Sequence, residues 1–282
     1  MINKIKLLEL ELKKKKCDFY LISSFDEYLN EYVPLRNMRL RWLIGFSGSN
    51  GIALISVKKK YFFTDGRYLL QAKKQIDKSF EIIDLGSNSF FSYIKSRVKK
   101  KKILLDFKLF NINFIRGLLK ITSENSLKII NDNKNSIDKI WKERPLEKKK
   151  EFFKINYNIS GCEIIDKKNK LVVDKKNIFV ITSPESVCWL LNLRGYDLSH
   201  TPVVFSRAIV DKSKIKMFVD LQKLPTKNYK IKGVEFHDID NFDNEIIKLP
   251  KNRNILLDKM SPYHIYHLMI KNKIKPILID DP

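Results

Sequence analysis

Ile52-Ala-Leu-Ile-Ser-Val-Lys-Lys-Lys-Tyr-Phe-Phe-Thr-Asp-Gly-Arg-Tyr68 is the stretch that decides the fold. Strand formers from Ile52 to Val57, a lysine turn and a second apolar strand from Tyr61 to Thr64 predict a hairpin, and Asp65-Gly66 is a turn signal. A helix is expected next, over 68–77. Working outward, helices over 88–99 and 111–120 alternate with short strands at 80–84, 103–106 and 127–130, an α/β pattern. On the other side, Ile5, Leu8 and Leu12 at helical spacing predict an amphipathic helix, and Phe19 to Ile22 a buried strand.

The order then recurs. A helix over 160–173, a strand from Ile178 to Ile181, a segment containing Trp189, a turn at Arg194-Gly195 and strands over 203–210 and 215–219 follow the same sequence of elements. Phe19 and Trp42 are 23 residues apart, whereas Phe179 and Trp189 are 10 apart, so a duplicated fold with an insertion in the first copy is expected. Further elements follow at 231–238, 241–247, 254–258 and 276–279, with a helix opening at Ser261-Pro262, where Ser caps and Pro fits the first turn. Ile140-Trp-Lys-Glu-Arg-Pro145 marks a linker, since proline disfavours a continuing helix. The expected domains are therefore 1–139 and 151–282, joined by 140–150.

At roughly 100 to 200 residues per domain, the 282 residues agree with two domains. With 44% hydrophobic, 11% aromatic and 31% charged residues the chain is globular, which excludes long disorder. No apolar run approaches the roughly 18 to 20 residues of a membrane span, and Met1 to Lys16 mixes acids and bases, so neither a membrane partner nor a cleaved signal is expected. Cys17, Cys162 and Cys188 are odd in number and form no Cys-x-x-Cys pair, which points to a reducing, cytoplasmic setting. The net charge of +23 would suggest nucleic acid, but only ten of the 55 basic residues are Arg, and the lysine runs stand beside turns and helix ends. No specific nucleic-acid binding is expected.

The search for chemistry is mostly negative. Gly45-Phe-Ser-Gly48 has the wrong spacing for a nucleophile elbow, and the glycines at 45, 48 and 51 are followed by a strand, not the helix of a phosphate loop. They read as a tight loop between buried strands. His200, His237, His264 and His267 form no metal-ligating pattern, and no metal or cofactor is expected in this chain. Two arginine turns remain, Thr64-Asp-Gly-Arg-Tyr68 and Arg194-Gly-Tyr-Asp197. A guanidinium fork there can grip a carboxylate or peptide carbonyl, or can pair with Asp65 or Asp197 to hold its own turn.

At these residues the sequence resembles the non-catalytic N-terminal part of the cytosolic, three-domain Xaa-Pro aminopeptidases. Asp26-Glu27, Glu31-Tyr-Val-Pro34, Arg41-Trp-Leu-Ile-Gly-Phe-Ser-Gly-Ser49, Thr64-Asp-Gly-Arg-Tyr-Leu-Leu-Gln-Ala72, Ile140-Trp-x-x-Arg-Pro145, Trp189-Leu-Leu-Asn-Leu-Arg-Gly-Tyr-Asp197 and Thr201-Pro-Val203 stand in the family's order. Tyr28, Thr201 and Pro184-Glu185 depart from its usual residues.

The resemblance implies two tandem creatinase-type α/β domains, each a mixed β-sheet flanked by helices. It further implies a C-terminal pita-bread catalytic domain, absent here, that holds two Mn2+ ions, and removal of the first residue from peptides with proline second. Further implications are a homodimer, a substrate contact from Arg67, and an adjoining surface shaped by Trp42, Gly45, Ser49, Arg194 and Asp197. Alone, the 282 residues are expected to be inactive, with a further domain expected to follow. The alternative is a stand-alone peptide-binding or scaffold module in which the same arginine grips a peptide without cleavage.

Overall fold

The computed structural model describes residues 4–147 and 149–282. The chain forms two compact units, Met1–Leu146 and Glu147–Pro282. In the first, α1 (Lys4–Lys14) places Leu8 and Leu12 inward and ends on Lys13 and Lys14, which suit the negative end of its dipole. After β1 (Phe19–Ser23) and a long loop comes α2 (Arg39–Ile44), closed by Gly45 at φ +83°, whose N–H reaches the Arg41 carbonyl. Then follow β2 (Ile52–Ile55), β3 (Lys60–Thr64), α3 (Leu69–Gln75), β4 (Glu81–Asp84), α4 (Phe90–Arg97), β5 (Lys102–Leu105), α5 (Ile112–Asn125), β6 (Lys128–Asn131) and α6 (Ser136–Ile140). The sheet order is β4-β3-β2-β1-β5-β6. β2 runs antiparallel to both β1 and β3, and the other pairs are parallel. Every residue of β1 is buried, as expected of a central strand covered on both faces.

The second unit has β7 (Phe153–Lys154), α7 (Tyr157–Ser160), α8 (Ile164–Leu171), β8 (Asn177–Ile181), α9 (Pro184–Leu190) and β9 (Leu193–Arg194). It continues with β10 (Ser206–Val210), β11 (Ile215–Val219), β12 (Val234–Asp238), α10 (Phe242–Ile247), β13 (Asn254–Asp258), α11 (Tyr263–Lys271) and β14 (Ile277–Ile279). Its main sheet, β12-β11-β10-β8-β13-β14, repeats the first strand for strand, again with two antiparallel pairs flanked by parallel ones. The hairpin turns match as well. Ser56 Oγ accepts the Lys59 N–H at 2.9 Å, and Asp211 Oδ1 accepts the Lys214 N–H at 3.0 Å. Each unit is thus an α/β domain with a mixed sheet flanked by helices.

Three sequence expectations need correction. The helix over 160–173 forms only as α8, because Gly161, at φ +65°, ends the short α7 with its N–H on the Tyr157 carbonyl and Glu163 is extended before α8 begins. Ser261 does not cap α11: it is buried, its hydroxyl pairs with Thr182 Oγ1 at 2.8 Å, and the helix starts without a side-chain cap bond. The extra length is not confined to the first copy. Residues 24–38 precede α2 there, while in the second copy the longer connection, residues 195–205, follows the Trp189 helix.

One buried cation fixes the first domain. Arg39, its side chain 1% exposed, donates from Nε to Asp138 Oδ1 at 2.7 Å and from its NH2 to Asp138 Oδ2 at 2.8 Å, and also pairs with Glu27. Arg144 reaches the same Asp138 at 2.7 Å and the Arg36 carbonyl at 2.7 Å. Burial would raise the Glu27 carboxyl, but the charge and hydrogen bond of Arg39, with the Arg144 charge, together outweigh it and hold it low. Neighbouring Asp26 goes the other way: burial, then the Glu27 charge, push it up to about 6, although the Tyr28 and Asn30 N–H groups bond to it.

Asp138→Ala leaves the Arg39 guanidinium buried with one acid fewer, and we expect a loss of about 3 kcal/mol, read from the urea midpoint. Asp26 gives a pH signature of opposite sign to an ordinary ion pair. Its folded carboxyl binds its proton more tightly than the unfolded one, so its contribution is complete below the unfolded value of 3.8 and is lost as pH rises through about 6. The melting temperature of the native chain minus that of Asp26→Asn should therefore fall across this window, and a difference that stays flat would refute the assignment.

Candidate functional site

The site grows from the end of β3. Thr64 Oγ1 donates to the Asn50 carbonyl at 2.6 Å, which ties the strand end to the loop before β2. The Asp65 carboxylate then organises the turn. It accepts the Arg67 N–H at 3.0 Å, Arg67 Nε at 2.9 Å, the Arg67 NH2 at 2.9 Å and Asn50 Nδ2 at 2.8 Å. The Arg67 bonds hold the Asp65 carboxyl well below the usual carboxylate range, and Asp65 raises Arg67 in turn. Of the two readings open in the sequence, pairing within the turn is what the structure shows. Yet the Arg67 side chain remains 67% exposed, with its guanidinium 5.2 Å from the Tyr68 ring centre. It is oriented without being consumed.

Residues 45–51 line the other side. Ser47 donates its N–H to Gln75 Oε1 at 3.0 Å, and Gln71 Nε2 donates to Ser47 Oγ at 2.9 Å, which fastens the loop to α3. Ser49 Oγ lies 2.8 Å from Tyr68 Oη and donates to Glu31 Oε1 at 3.2 Å, so the tyrosine hydroxyl is the donor in the first contact. A Cβ on Gly48 would meet the Phe46 ring at 2.4 Å and the Tyr68 ring at 2.7 Å. Aromatic packing, not phosphate binding, therefore explains that glycine. Together Glu31, Tyr32, Arg41, Ser49, Arg67 and Tyr68 line much of an open groove of about 400 Å3.

The other sequence candidates are distributed differently. Gly45 ends α2 and supports the loop from below, while Trp42 does not line the groove: it stacks on Trp141 at 5.2 Å, with Lys4 4.9 Å over its ring. Arg194 and Asp197 belong to the second domain, and they are not partners. Arg194 donates to the Leu193 carbonyl at 2.7 Å, whereas buried Asp197 accepts the Phe205 N–H at 2.6 Å and Lys223 Nζ at 2.9 Å. Pairing of Arg194 with Asp197, one of the two readings open in the sequence, is not formed, and a buried lysine takes the Asp197 carboxylate instead. Glu31, Tyr32 and Arg41 escaped notice as site residues because each sits inside a motif stretch with nothing in its own spacing to point at Arg67.

The paired histidines at 264 and 267 form no metal site. His264 Nε2 pairs with Asp243 Oδ2 at 2.6 Å, and His267 stacks on Tyr263. Among the described residues no group of three or more His, Cys, Asp or Glu side chains is placed to hold a metal ion.

Two family models described as Creatinase/Prolidase N-terminal domain match residues 4–132 and 143–281. The chain belongs to the creatinase/prolidase N-terminal domain family. It carries that domain twice, in agreement with the two matching sheets. Among relatives, a probable Xaa-Pro aminopeptidase P of Coprinopsis cinerea is 29% identical over 259 residues, covering 88% of this chain and 42% of that protein. Xaa-Pro aminopeptidase 1 of Dictyostelium discoideum is 27% identical over 300 residues, covering 98% of this chain and 48% of that one. The chain thus spans less than half the length of these curated relatives. The X-prolyl aminopeptidase of Caenorhabditis elegans, described as a cytosolic enzyme with a di-nuclear active site, superposes with a TM-score of 0.89 at 24% identity. That alignment covers 99% of this chain and 50% of the worm enzyme, and it establishes the creatinase-type fold.

Gly48→Ala tests the groove wall. The added methyl must displace the Phe46 or Tyr68 ring, so we expect a loss of about 1–3 kcal/mol from overpacking and a weakened Ser49–Tyr68 contact, visible as shifted ring resonances of Tyr68.

Proposed function

We propose that this chain is the non-catalytic portion of an Xaa-Pro aminopeptidase, a metal-dependent enzyme that removes the first residue from peptides with proline second, acting in the cytoplasm. Its own part is to hold the substrate through Arg67 and to supply surface for a homodimer, while the chemistry belongs to a domain outside these 282 residues. The names of the relatives and the twofold family match support the class. The observation that carries the contact is the exposed Arg67 fork beside the groove, fixed on one edge by Asp65.

An arginine held in this way needs little further ordering when a peptide arrives, and its remaining terminal nitrogen can donate to a peptide carbonyl or carboxylate. Ser49 and Tyr68 extend the same wall. Positioning of this kind lowers the barrier at a distant reacting bond only by holding the substrate, so no proton is moved and no bond broken here. Trp42, Arg194 and Asp197 contribute as structural supports. Among the described residues no helix is long and apolar enough to cross a membrane.

With Mn2+ and an Xaa-Pro tripeptide supplied, the chain alone should release no amino acid. Arg67→Ala should leave the melting temperature nearly unchanged, because the side chain is exposed. In the chain joined to its catalytic portion the same change should lower kcat/KM about tenfold or more, and Arg67→Lys should restore little, since an ammonium lacks the planar fork. A several-degree loss of stability with full activity per folded molecule would make Arg67 a structural arginine and remove the proposed contact.

A further inference from the structure

The duplication supplies a second view of the Arg67 turn. Asp65 follows the last residue of β3, and Asp220 follows the last residue of β11, the strand at the same place in the second sheet. Their turns are built alike. Arg67 donates its N–H to Asp65 Oδ1 at 3.0 Å and Gln222 donates its N–H to Asp220 Oδ1 at 3.0 Å. Tyr68 donates its N–H to the Asp65 carbonyl at 3.0 Å, and Lys223 does the same to Asp220 at 2.9 Å. Gln222 therefore corresponds to Arg67, and Lys223 to Tyr68.

The second turn is occupied by its own chain. Lys149 Nζ lies 2.7 Å from Asp220 Oδ2 and donates to Gln222 Oε1 at 3.0 Å. Lys223 Nζ takes the Glu147 carboxylate at 2.9 Å, and its carbonyl accepts the Phe152 N–H at 3.1 Å. Glu147, Lys149 and Phe152 thus engage this turn, giving a lysine to its acid and a carboxylate to its cation.

The first turn keeps one cation but moves it one residue back, to Arg67. Its acid is already taken by that arginine on two nitrogens, which leaves the turn no carboxylate for an incoming lysine. The Tyr68 carbonyl, which corresponds to the one that accepts Phe152 in the second domain, already accepts the Ala72 N–H of α3 at 2.8 Å. Arg41 adds a second cation to the groove, where its hydrogen bond goes to Met38 Sδ at 3.6 Å. Glu31 is the opposing acid in the lining and accepts the Ser49 hydroxyl.

We infer that the groove beside the Arg67 turn takes a peptide segment by its carboxylate, as the second domain's turn takes Glu147 of this same chain. The inference rests on the proposed substrate contact and adds its chemical preference: carboxylate over neutral, neutral over lysine. Either an acidic side chain or a free C-terminus can supply the group.

The test titrates the chain calorimetrically with four Xaa-Pro tetrapeptides. One has a free C-terminus, one is amidated, one is amidated with Glu at the third position, and one is amidated with Lys there. A carboxylate peptide should bind about tenfold tighter than the neutral amide, and the Lys peptide weakest, as expected of one charge-assisted bond. Tight binding of only the free-ended peptide identifies the terminus as the source, and of only the Glu peptide the side chain. Arg67→Gln, which installs the second domain's residue at an exposed position, should abolish the preference at an unchanged melting temperature. Equal binding of all four peptides, or a preference surviving Arg67→Gln, overturns the inference, while loss of all binding in Arg67→Ala would leave the simpler contact standing. Binding undetectable in the native chain, or unaltered by Arg67→Ala, overturns both.

Discussion

A guanidinium taken out of water must find acids, and in the first domain that requirement fixes the wall of the groove that faces the Arg67 turn. Arg39 is buried, and its partners Glu27 and Asp138 lie 12 and 99 residues away along the chain. Meeting both draws the loop after β1 and helix α6 onto α2. Arg144 then bonds to Asp138, to the Arg36 carbonyl and to Asn37, so the segment after α6 is tied to the same loop. The Trp42–Trp141 stack seals the arrangement with apolar area. Because α2 is fixed, so is the left-handed Gly45 that ends it and launches residues 45–51 along the groove. Glu31 and Arg41 reach the groove from segments whose positions follow from the same cation.

The two domains show how one fold serves different ends by changing a few side chains on a shared backbone. Sheet order, strand directions, hairpin turn and Asp-capped turn agree between them. In the second domain the turn is devoted to cohesion: Lys223 is shared between Asp197 and Glu147, with its side chain 2% exposed. Burial would lower such a lysine, but the Asp197 charge and its neighbours raise it instead, so it stays charged and acts as a fixed clasp. In the first domain the turn faces an open groove.

Much of this architecture was legible because its signals are local. Apolar runs such as Phe19–Ser23 and the lysine turn before Tyr61 announce strands and a hairpin through residue type alone. The Asp-Gly-Arg-Tyr turn was visible too, including the chance that Arg67 pairs with Asp65. What stayed hidden depends on distant partners. Periodicity treats charged residues as outward-facing, so Arg39, Lys167 and Lys223, all buried, carry no mark of their position. Ser261 before Pro262 has every local feature of a cap, yet a buried Thr182 hydroxyl outcompetes the helix end for it. The helix over 160–173 failed for a subtler reason: its apolar spacing runs on through residues where the left-handed Gly161 and the extended Glu163 separate α7 from α8. The groove was assembled from three motif stretches, and no spacing within any one of them reveals that Glu31, Ser49 and Tyr68 form one chain of hydrogen bonds.

Arginine, not lysine, is what an outward-facing turn of this design requires. With 45 lysines and ten arginines in the chain, a lysine at position 67 would be the compositionally ordinary residue. An ammonium at that point could neutralise Asp65, but as a compact charge it would be centred on that carboxylate, as Lys223 is centred on its acids. The guanidinium divides the task along its plane. Nε and one terminal nitrogen close the ring with Asp65, and the other terminal nitrogen keeps its protons directed away from the turn. The same residue therefore stabilises its own loop and still presents a charged, oriented donor to the groove, so structural pairing and peptide contact are two edges of one side chain and do not compete for it.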